Sequence, residues 1–292
     1  MPRFNKFFAL PLVAAATSLP ALAAETGVAP MAEPLFRVGP LPVTNSMVMS
    51  WVVAIALIVV IRKVAGKPKL IPSRGQAVVE QLIQSLMEII EPIVGPKAIK
   101  ASRPLLISLF TFILIQNWSG LIPGVGTVLM RSHVTGEWME LARPGNADMN
   151  GTFALAFVAL IVGTWIILRY AGMKAILYDI FGNKADKRDV PAALYYPMFV
   201  IFFLVGLLDV ISIMFRPISL SFRLYGNIFG GENLLHSMSA ICKWGLPVPF
   251  YFMELLVGFV QAFVFTLLVS VYIGLICNHE GGGDHNGEAA HH

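Results

Sequence analysis

The chain has 292 residues, of which 57% are hydrophobic and 13% are charged. Soluble globular domains carry about 25% charged residues, so a mean hydropathy of +0.73 excludes an ordinary soluble chain and predicts an integral membrane protein. The net charge of +4 does not indicate a nucleic-acid partner, because the basic residues are spread over connecting segments.

Two cysteines, Cys242 and Cys277, are too few for a disulfide framework and lack the spacing of a metal site. The first residues have the pattern of a secretory signal peptide. Arg3 and Lys6 precede a short apolar run, and Ala21-Leu22-Ala23 has the form of a cleavage site. We therefore predict a signal peptide over residues 1–23 and an outward-facing N-terminal segment over residues 24–45. An uncleaved interfacial segment is the alternative.

Four later stretches are apolar and long enough to be considered as membrane spans. They cover residues 46–64, 104–122, 152–170 and, taken together, 192–277. A transmembrane helix needs about 20 predominantly apolar residues, so the last stretch holds more than one helix. The predicted fold is an all-α integral membrane protein with about five membrane helices. Its membrane domain covers residues 46–277, and residues 278–292 form a flexible cytoplasmic tail.

The segment of residues 73–93 differs from the spans because it is amphipathic. Ser73 with Gln76 has the pattern of a capping box, and Pro92 follows the periodic turns. Apolar residues recur there at spacings of three and four, whereas glutamine and glutamate occupy the other faces. We predict an interfacial helix that lies on the membrane or against a partner. Its apolar face consists of Val78, Leu82, Leu86, Ile89 and Ile93.

Lysine and arginine are distributed unevenly between the two sides of the predicted spans. One side has 13 of them and the other has four. Cytoplasmic loops carry the excess of positive charge, so the first side is predicted to be cytoplasmic and the mature N-terminus to lie outside. The 13 are Arg62, Lys63, Lys67, Lys69, Arg74, Lys97, Lys100, Arg103, Arg169, Lys174, Lys184, Lys187 and Arg188, and the four are Arg37, Arg131, Arg143 and Lys243.

Residues 192–241 contain no plausible reversal of the chain. A helix of about 50 residues is about 75 Å long, more than twice the thickness of the hydrocarbon core, so this helix is expected to be strongly tilted or bent. Pro217 offers a bend point because it lacks a backbone donor. A second helix from about Pro249 to Cys277 is predicted to return after a short break, which completes a long tilted hairpin.

Polar residues follow one face of the first of these two helices. Six of them recur at spacings of three or four, which places them on one side at 100° per residue. Glu232 is nine residues beyond Arg223 and falls on the opposite side, one turn before His236. The helix is therefore expected to have two separate polar faces. The six are Asp209, Ser212, Arg216, Ser219, Arg223 and Asn227.

On the returning helix, Glu254, Gln261 and Tyr272 also share a face, with Gly258 giving close approach among them. Polar faces aimed at neighbouring helices are what a protein-lined ion pathway requires. Ionisable residues inside membrane helices cost about 2.5–3.5 kcal/mol each on insertion scales, so the charged ones are candidates for function. They are Asp209, Arg223, Glu232 and Glu254.

A different topology would place Arg216 and Arg223 in a loop that joins two ordinary spans, 193–215 and 224–242. It would put both arginines outside, against the charge distribution. The residues between them also lack turn chemistry beyond Pro217. The sequence therefore favours the single long helix.

Arg223 needs a negatively charged partner, because its side chain stays protonated and an uncompensated charge inside the membrane is costly. The nearest carboxylate on the same helix face is Asp209, which is about 21 Å away along the helix. Glu232 lies on the other face, and the sequence leaves pairing with Glu254 open. We expect the partner of Arg223 on another chain.

Two segments together resemble subunit a of the membrane sector of F-type ATP synthases. They are residues 218–232, with the sequence ISLSFRLYGNIFGGE, and residues 261–265, with the sequence QAFVF. The order of predicted elements also agrees over nearly the whole mature chain, although a leader peptide is not universal in that family. The resemblance implies a stationary subunit against which a ring of c subunits turns. Two offset half-channels would lead ions from each side of the membrane to a carboxylate on the ring.

The resemblance also implies roles for individual residues. Arg223 would be the essential arginine between the half-channels, with Gln261 as its neighbour on the returning helix. Asn227, Glu232 and Glu254 would line the outer half-channel. Asp209 and Ser219 would belong to the cytoplasmic half-channel, and Tyr272 is a further candidate for lining.

Many relatives have histidine at one of the two outer carboxylate positions, whereas both are glutamate here. His236 is therefore a candidate substitute in the proton relay, with a merely buried histidine as the alternative.

The function implied is translocation of an ion, with the proton favoured over Na⁺, coupled to ATP synthesis in the bacterial inner membrane. The implied partners are the c-subunit ring, the b subunits of the peripheral stalk, the soluble ATPase head and the lipid bilayer. No Gly-rich loop followed by Lys-Ser or Lys-Thr is present, so we expect a non-catalytic subunit without an ATP site or cofactor.

A proton-coupled secondary transporter of a small solute is the alternative function, and a purely structural membrane subunit is a third. No inverted repeat or pair of broken helices supports a transporter. A structural subunit would tolerate alanine at positions 223 and 232. The tail histidines fit a flexible terminus better than a metal site, and the outer loop of residues 123–149 has no recognisable chemistry.

Overall fold

The computed structural model describes residues 32–65, 73–122, 125, 129–131, 138–140, 143–173, 192–242 and 245–278. The predicted signal peptide, residues 1–23, and residues 279–292 of the predicted tail lie outside the described residues. Asp209 lies in a described helix, but its side chain is also outside the description.

Six helices account for most of the described residues. Five of them are long and apolar enough to cross a membrane, which confirms the predicted all-α, multi-pass membrane fold. The sixth, α2, is the predicted amphipathic helix. The helices are α1 (Asn45–Ala65), α2 (Arg74–Val94), α3 (Ile99–Ser119), α4 (Met149–Tyr170), α5 (Ala192–Ile241) and α6 (Pro247–Asn278).

Two short antiparallel strand pairs, which the sequence did not predict, also lie among the described residues. β1 (Pro34–Val38) pairs with β2 (Leu41–Thr44) directly before α1, and β3 (Leu129–Arg131) pairs with β4 (Trp138–Glu140) between α3 and α4. Gly39 has a φ of 63° between β1 and β2, a backbone conformation that glycine adopts without steric cost.

Hydrogen bonds and close packing contacts define the two ends of the helix bundle. At the end that we call the loop end, Ser46 at the start of α1 donates to Asp148 before α4 at 3.0 Å, and Asn146 donates to Asn117 near the end of α3 at 2.7 Å. The opposite end, which we call the tail end, holds the last turns of α1 and α6, packed against α2. There Gly274 of α6 lies against the Ile93 carbonyl.

The amphipathic helix α2 buries only part of its predicted apolar face within this chain. Ser73 accepts a hydrogen bond from the Gln76 backbone at 3.3 Å, as an N-cap should. However, Val78, Leu82 and Ile89 of the predicted stripe are exposed. The buried apolar residues are Leu86, which belongs to the predicted face, with Met87, Ile90 and Val94, because the C-terminal half of α2 lies against α3 and α6 of the same chain.

The long helix α5 runs without interruption through Arg216, Pro217 and Arg223. The alternative with a loop between two ordinary spans is therefore wrong, and the long helical hairpin with α6 is confirmed. The hydroxyl of Ser221 donates to the Pro217 carbonyl at 2.6 Å and to the Thr152 carbonyl of α4 at 3.1 Å. These bonds tie α5 to α4 one turn after the proline.

The core lies between α3, α4, α5 and α6, with the C-terminal half of α2 against it. Ile113, Ile166, Leu224 and Phe265 are fully buried there. Helices in lipid associate through close packing, which small residues permit. α1 contributes little to this core, since only 6% of its span is buried.

Candidate ion pathway along the helical hairpin

Arg223 lies well inside the long apolar helix α5 (Ala192–Ile241), far from either end. The side chain is exposed on the surface of the chain. Within the described residues, no carboxylate lies close enough to pair with it, and Arg223 is therefore not tied to an acid there.

A cavity of about 270 Å³ lies beside Arg223, between α4, α5 and α6. Arg216, Ser219 and Arg223 of α5 line one side, and Tyr272 of α6 lines another. Ala156 and Ala159 of α4 leave room for it because their side chains are small. We call this space the tail-side cavity, because it extends from Arg223 towards Tyr272. Three of the six polar residues predicted to share one face of α5 therefore line this cavity.

Arg216 is held at this cavity by an aromatic ring. Its guanidinium lies 5.1 Å from the ring centroid of Tyr272, within the range of a cation–π interaction. The Tyr272 hydroxyl and the Thr164 hydroxyl of α4 are hydrogen-bonded at 2.9 Å. A Cβ added to Gly163 of α4 would lie 3.7 Å from the same ring, in ordinary van der Waals contact. The ring is therefore fixed between α4 and α5.

Asn227 and Gln261 join the two long helices one turn beyond Arg223. The Asn227 side-chain amide donates to Oε1 of Gln261 at 2.8 Å, and Gln261 is only 4% exposed. Gln261 thus lies beside the segment of α5 that carries Arg223 and Asn227. Asn227 thus faces α6, as the other stripe residues Arg216 and Arg223 do at the cavity.

Glu254 of α6 is buried against α5. Its relative exposure is 6%, and its carboxylate lies directly against Gly231, so a methyl group at position 231 would overlap it. Within the described part of the chain, Glu254 Oε1 accepts no hydrogen bond. Glu254 precedes Gln261 by seven residues, or about 10 Å along the helix, on the loop-end side.

Glu232, the residue after Gly231, points to a different neighbour. Its Oε2 lies 3.9 Å from a terminal nitrogen of Arg143, and Arg143 is 4% exposed, whereas Glu232 is 21% exposed. We call Glu232, Glu254 and Arg143 the loop-side charge cluster. It lies on the opposite side of the Asn227–Gln261 bond from the tail-side cavity.

The segment that carries Arg143 is anchored to α3, which is itself bonded to α6, and it continues into α4. The backbone nitrogen of Gly145 donates to Gln116 of α3 at 3.2 Å, and Asn117 donates to the Gly258 carbonyl of α6 at 2.9 Å. Asp148 caps α4 by accepting from the Asn150 backbone at 3.2 Å. A Cβ added to Gly258 would lie 3.1 Å from the Asn117 side chain, so the close approach of Gly258 is to α3 and not among the polar residues of α6.

The remaining predicted site residues are not brought into these groups. His236 is exposed and forms no hydrogen bond or ion pair with the residues that the structure describes. Ser212 is exposed as well, and the Asp209 side chain lies outside the description. In the described ranges, no group of three His, Cys, Asp or Glu residues is placed to hold a metal ion.

Arg143 is the functional candidate that the sequence analysis missed. The outer loop looked featureless, because a single arginine there shows no periodicity. One signal was present: Asp148 directly before an apolar run has the pattern of an N-cap. That pattern fixes where the loop meets α4, but it does not show which side chain Arg143 contacts.

Comparison with known proteins finds relatives over most of the chain. Residues 47–274 match the family model described as ATP synthase A chain. The chain is 30% identical to ATP synthase subunit a of Moorella thermoacetica over 239 residues, which are 82% of this chain and 93% of the relative. It is 31% identical to ATP synthase subunit a of Gloeobacter violaceus over 240 residues, 82% of this chain and 86% of the relative. With ATP synthase subunit a 2 of a Bradyrhizobium species it shares 29% over 240 residues, 82% and 92% of the two chains.

Proposed function

Because this chain belongs to the ATP synthase subunit a family, and thus serves ion translocation coupled to ATP synthesis, we propose that it conducts protons through two offset half-channels that meet a c-subunit ring at Arg223. The tail-side cavity is part of one half-channel. The loop-side charge cluster is part of the other, together with Asn227.

The observation that carries this proposal is the position of Arg223 between two polar regions. The tail-side cavity lies on one side of it, and Glu232 and Glu254 lie on the other, beyond the Asn227–Gln261 bond. Arg223 is exposed, and no described acid pairs with it. A permanent cation on a membrane helix needs a counter-charge, and a carboxylate on a passing ring subunit supplies one.

This arrangement explains coupling in physical terms. A ring carboxylate that approaches Arg223 is attracted in its deprotonated form, so it releases its proton before it passes. The guanidinium does not itself give up a proton at biological pH, and it therefore blocks direct leakage between the half-channels. The membrane potential supplies about 2.3 kcal/mol per charge per 100 mV, so several protons must pass for each ATP.

The proposal includes the assembly and its place in the cell. The partners are the c ring, the b subunits of the peripheral stalk and the soluble ATPase head, in a bacterial inner membrane. The excess of Lys and Arg in the segments at the tail end supports a cytoplasmic tail end and a loop end outside. The loop-side charge cluster then belongs to the outer half-channel, and the tail-side cavity to the cytoplasmic one.

Replacement of Arg223 tests the proposal. Arg223→Ala and Arg223→Lys are both expected to abolish respiration-driven ATP synthesis in membrane vesicles, since lysine loses its proton more readily than arginine when desolvated. Arg169→Ala is the matched control. Arg169 lies on α4, 5.6 Å from the ring of Trp165 and away from the cavity, so normal synthesis is expected. Normal synthesis by either Arg223 variant would refute the role of Arg223.

Two further measurements address the ion and the alternative function. ATP hydrolysis by the intact complex is expected to be independent of Na⁺, and activation by Na⁺ would identify a sodium enzyme instead. Copurification of the chain with a c-type ring and a soluble ATPase head is expected. Uptake of a small solute by the isolated chain would favour a secondary transporter.

A further inference from the structure

We propose that Arg143 is a positioning residue of the loop-side charge cluster, which balances the charge of Glu232 and leaves Glu254 as the carboxyl group that exchanges protons. This inference rests on the proposed function, because it assigns separate roles to two carboxylates of one half-channel. It also assigns a role to the loop between α3 and α4.

Arg143 is a buried cation. A guanidinium stays charged at biological pH, and a charge that is only 4% exposed is costly unless an opposite charge accompanies it. The Glu232 carboxylate lies 3.9 Å away. If Glu232 took up a proton, Arg143 would lose this counter-charge while remaining buried. The geometry therefore favours Glu232 as a fixed anion.

The segment that follows Arg143 is attached to α3. Pro144 and Gly145, the next two residues, pack against Gly120 and Gln116 of α3, and the Gly145 backbone donates to Gln116. Asn146 then bonds to Asn117 at 2.7 Å. A cation on such an anchored segment cannot follow a moving carboxylate, so it holds the Glu232 carboxylate of α5 in one place.

The surroundings of Glu254 differ from those of Glu232. Its carboxylate lies against Gly231, next to Glu232 in the chain, yet no cation of the described residues lies within ion-pair distance of it. The charge of Glu254 can therefore change without leaving a buried partner uncompensated. Glu254 is also on the same face of α6 as Gln261, two turns towards the loop end, and thus on the way to Arg223.

The two carboxylates thus respond differently to loss of charge. Removal of one member of a buried ion pair is harmful because the other is left uncompensated, whereas removal of both is often tolerated. Neutral replacement of Glu232 should accordingly be rescued by neutral replacement of Arg143. Neutral replacement of Glu254 should not be rescued, because the exchanging group itself is lost.

The test uses inverted membrane vesicles that contain the whole ATP synthase. ATP-driven proton pumping is followed with a pH-sensitive dye and normalised to the amount of this subunit in the membrane. Arg143→Gln and Glu232→Gln are each expected to lower pumping at least tenfold. The double variant Arg143→Gln/Glu232→Gln should recover to within threefold of the unmodified protein, and Arg143→Lys should keep at least a third of the rate.

Glu254→Gln, alone or combined with Arg143→Gln, is expected to stay inactive. Pumping by Glu254→Gln would overturn the assignment of proton exchange. A double variant as inactive as the single ones would overturn the balancing role of Arg143, as would normal pumping by Arg143→Gln. Arg223→Ala in the same vesicles tests the proposed function separately from the role of Arg143. If this variant pumps protons, the proposed function is wrong. If it does not, a failed rescue contradicts only the role of Arg143.

Discussion

The side-chain amide of Asn227 donates a 2.8 Å hydrogen bond to Gln261, and this bond joins α5 to α6 one turn beyond Arg223. It lies between the tail-side cavity and the loop-side charge cluster. Because Gln261 is almost completely buried, the bond sets how the two helices pack at the level of the arginine.

Loss of this bond should weaken proton coupling without abolishing it. Asn227→Leu leaves Oε1 of the buried Gln261 without its donor. Side-chain hydrogen bonds between membrane helices contribute about 0.6 kcal/mol on average and about 1.7 kcal/mol at most. Every 1.4 kcal/mol corresponds to about a tenfold change, so ATP-driven proton pumping should fall by roughly three- to sixteenfold.

An exchange of the two amides provides the control. Asn227→Gln combined with Gln261→Asn keeps one long and one short amide between the helices, so the double variant should pump faster than either single variant. If the double variant is slower than both, the bond does not couple the two positions. The rate should be compared at equal subunit content in the membrane.

Addition of one methyl group at Gly231 should displace the Glu254 carboxylate. The new Cβ would overlap the carboxyl group, and this group is the flexible end of a side chain, so the fold should adapt. Alanine also forms helix better than glycine by about 1 kcal/mol. Gly231→Ala is therefore expected to insert and assemble normally but to lose most of its proton pumping.

A shorter acid should relieve the overlap. Glu254→Asp withdraws the carboxylate from Gly231 by one methylene group, so the variant Gly231→Ala/Glu254→Asp should pump faster than Gly231→Ala alone. An immunoblot of the membranes measures assembly, and the dye assay measures pumping. Normal pumping by Gly231→Ala would show that the position of the Glu254 carboxylate does not matter.

The membrane helices and the arginine motif could be predicted from the sequence because their signals are local. Long apolar runs have few other stable structures in lipid, since every backbone polar group must be satisfied within the segment. The run of residues 192–241 thus indicated the single helix α5 that the structure has. The resemblance to subunit a, which rested on residues 218–232 and 261–265, is confirmed by the family match.

Contacts between distant segments could not be predicted in the same way. Arg143 and Glu232 are 89 residues apart, and neither sequence neighbourhood carries a periodic signal that joins them. The side of α2 that packs against α6 could not be predicted either, because periodicity shows that apolar side chains share a face but not which residues meet another helix. Val78 and Leu82 are exposed, whereas Ile90 is fully buried.

The ring of Tyr272, more than its hydroxyl group, should support the tail-side cavity. Arg216 lies 5.1 Å from the ring centroid, and a cation–π interaction contributes about 0.5–1 kcal/mol when exposed and about 2 kcal/mol when desolvated. Tyr272→Phe loses only the bond to Thr164 and should keep more than half of the proton pumping. Tyr272→Leu also loses the aromatic face. It should lower pumping by about five- to thirtyfold, which corresponds to the loss of about 1–2 kcal/mol of interaction free energy.

Thr164→Val removes the same hydroxyl contact from the α4 side and should match Tyr272→Phe. Equal losses in the phenylalanine and leucine variants would show that the hydroxyl bond, and not the ring, holds Arg216 at the cavity.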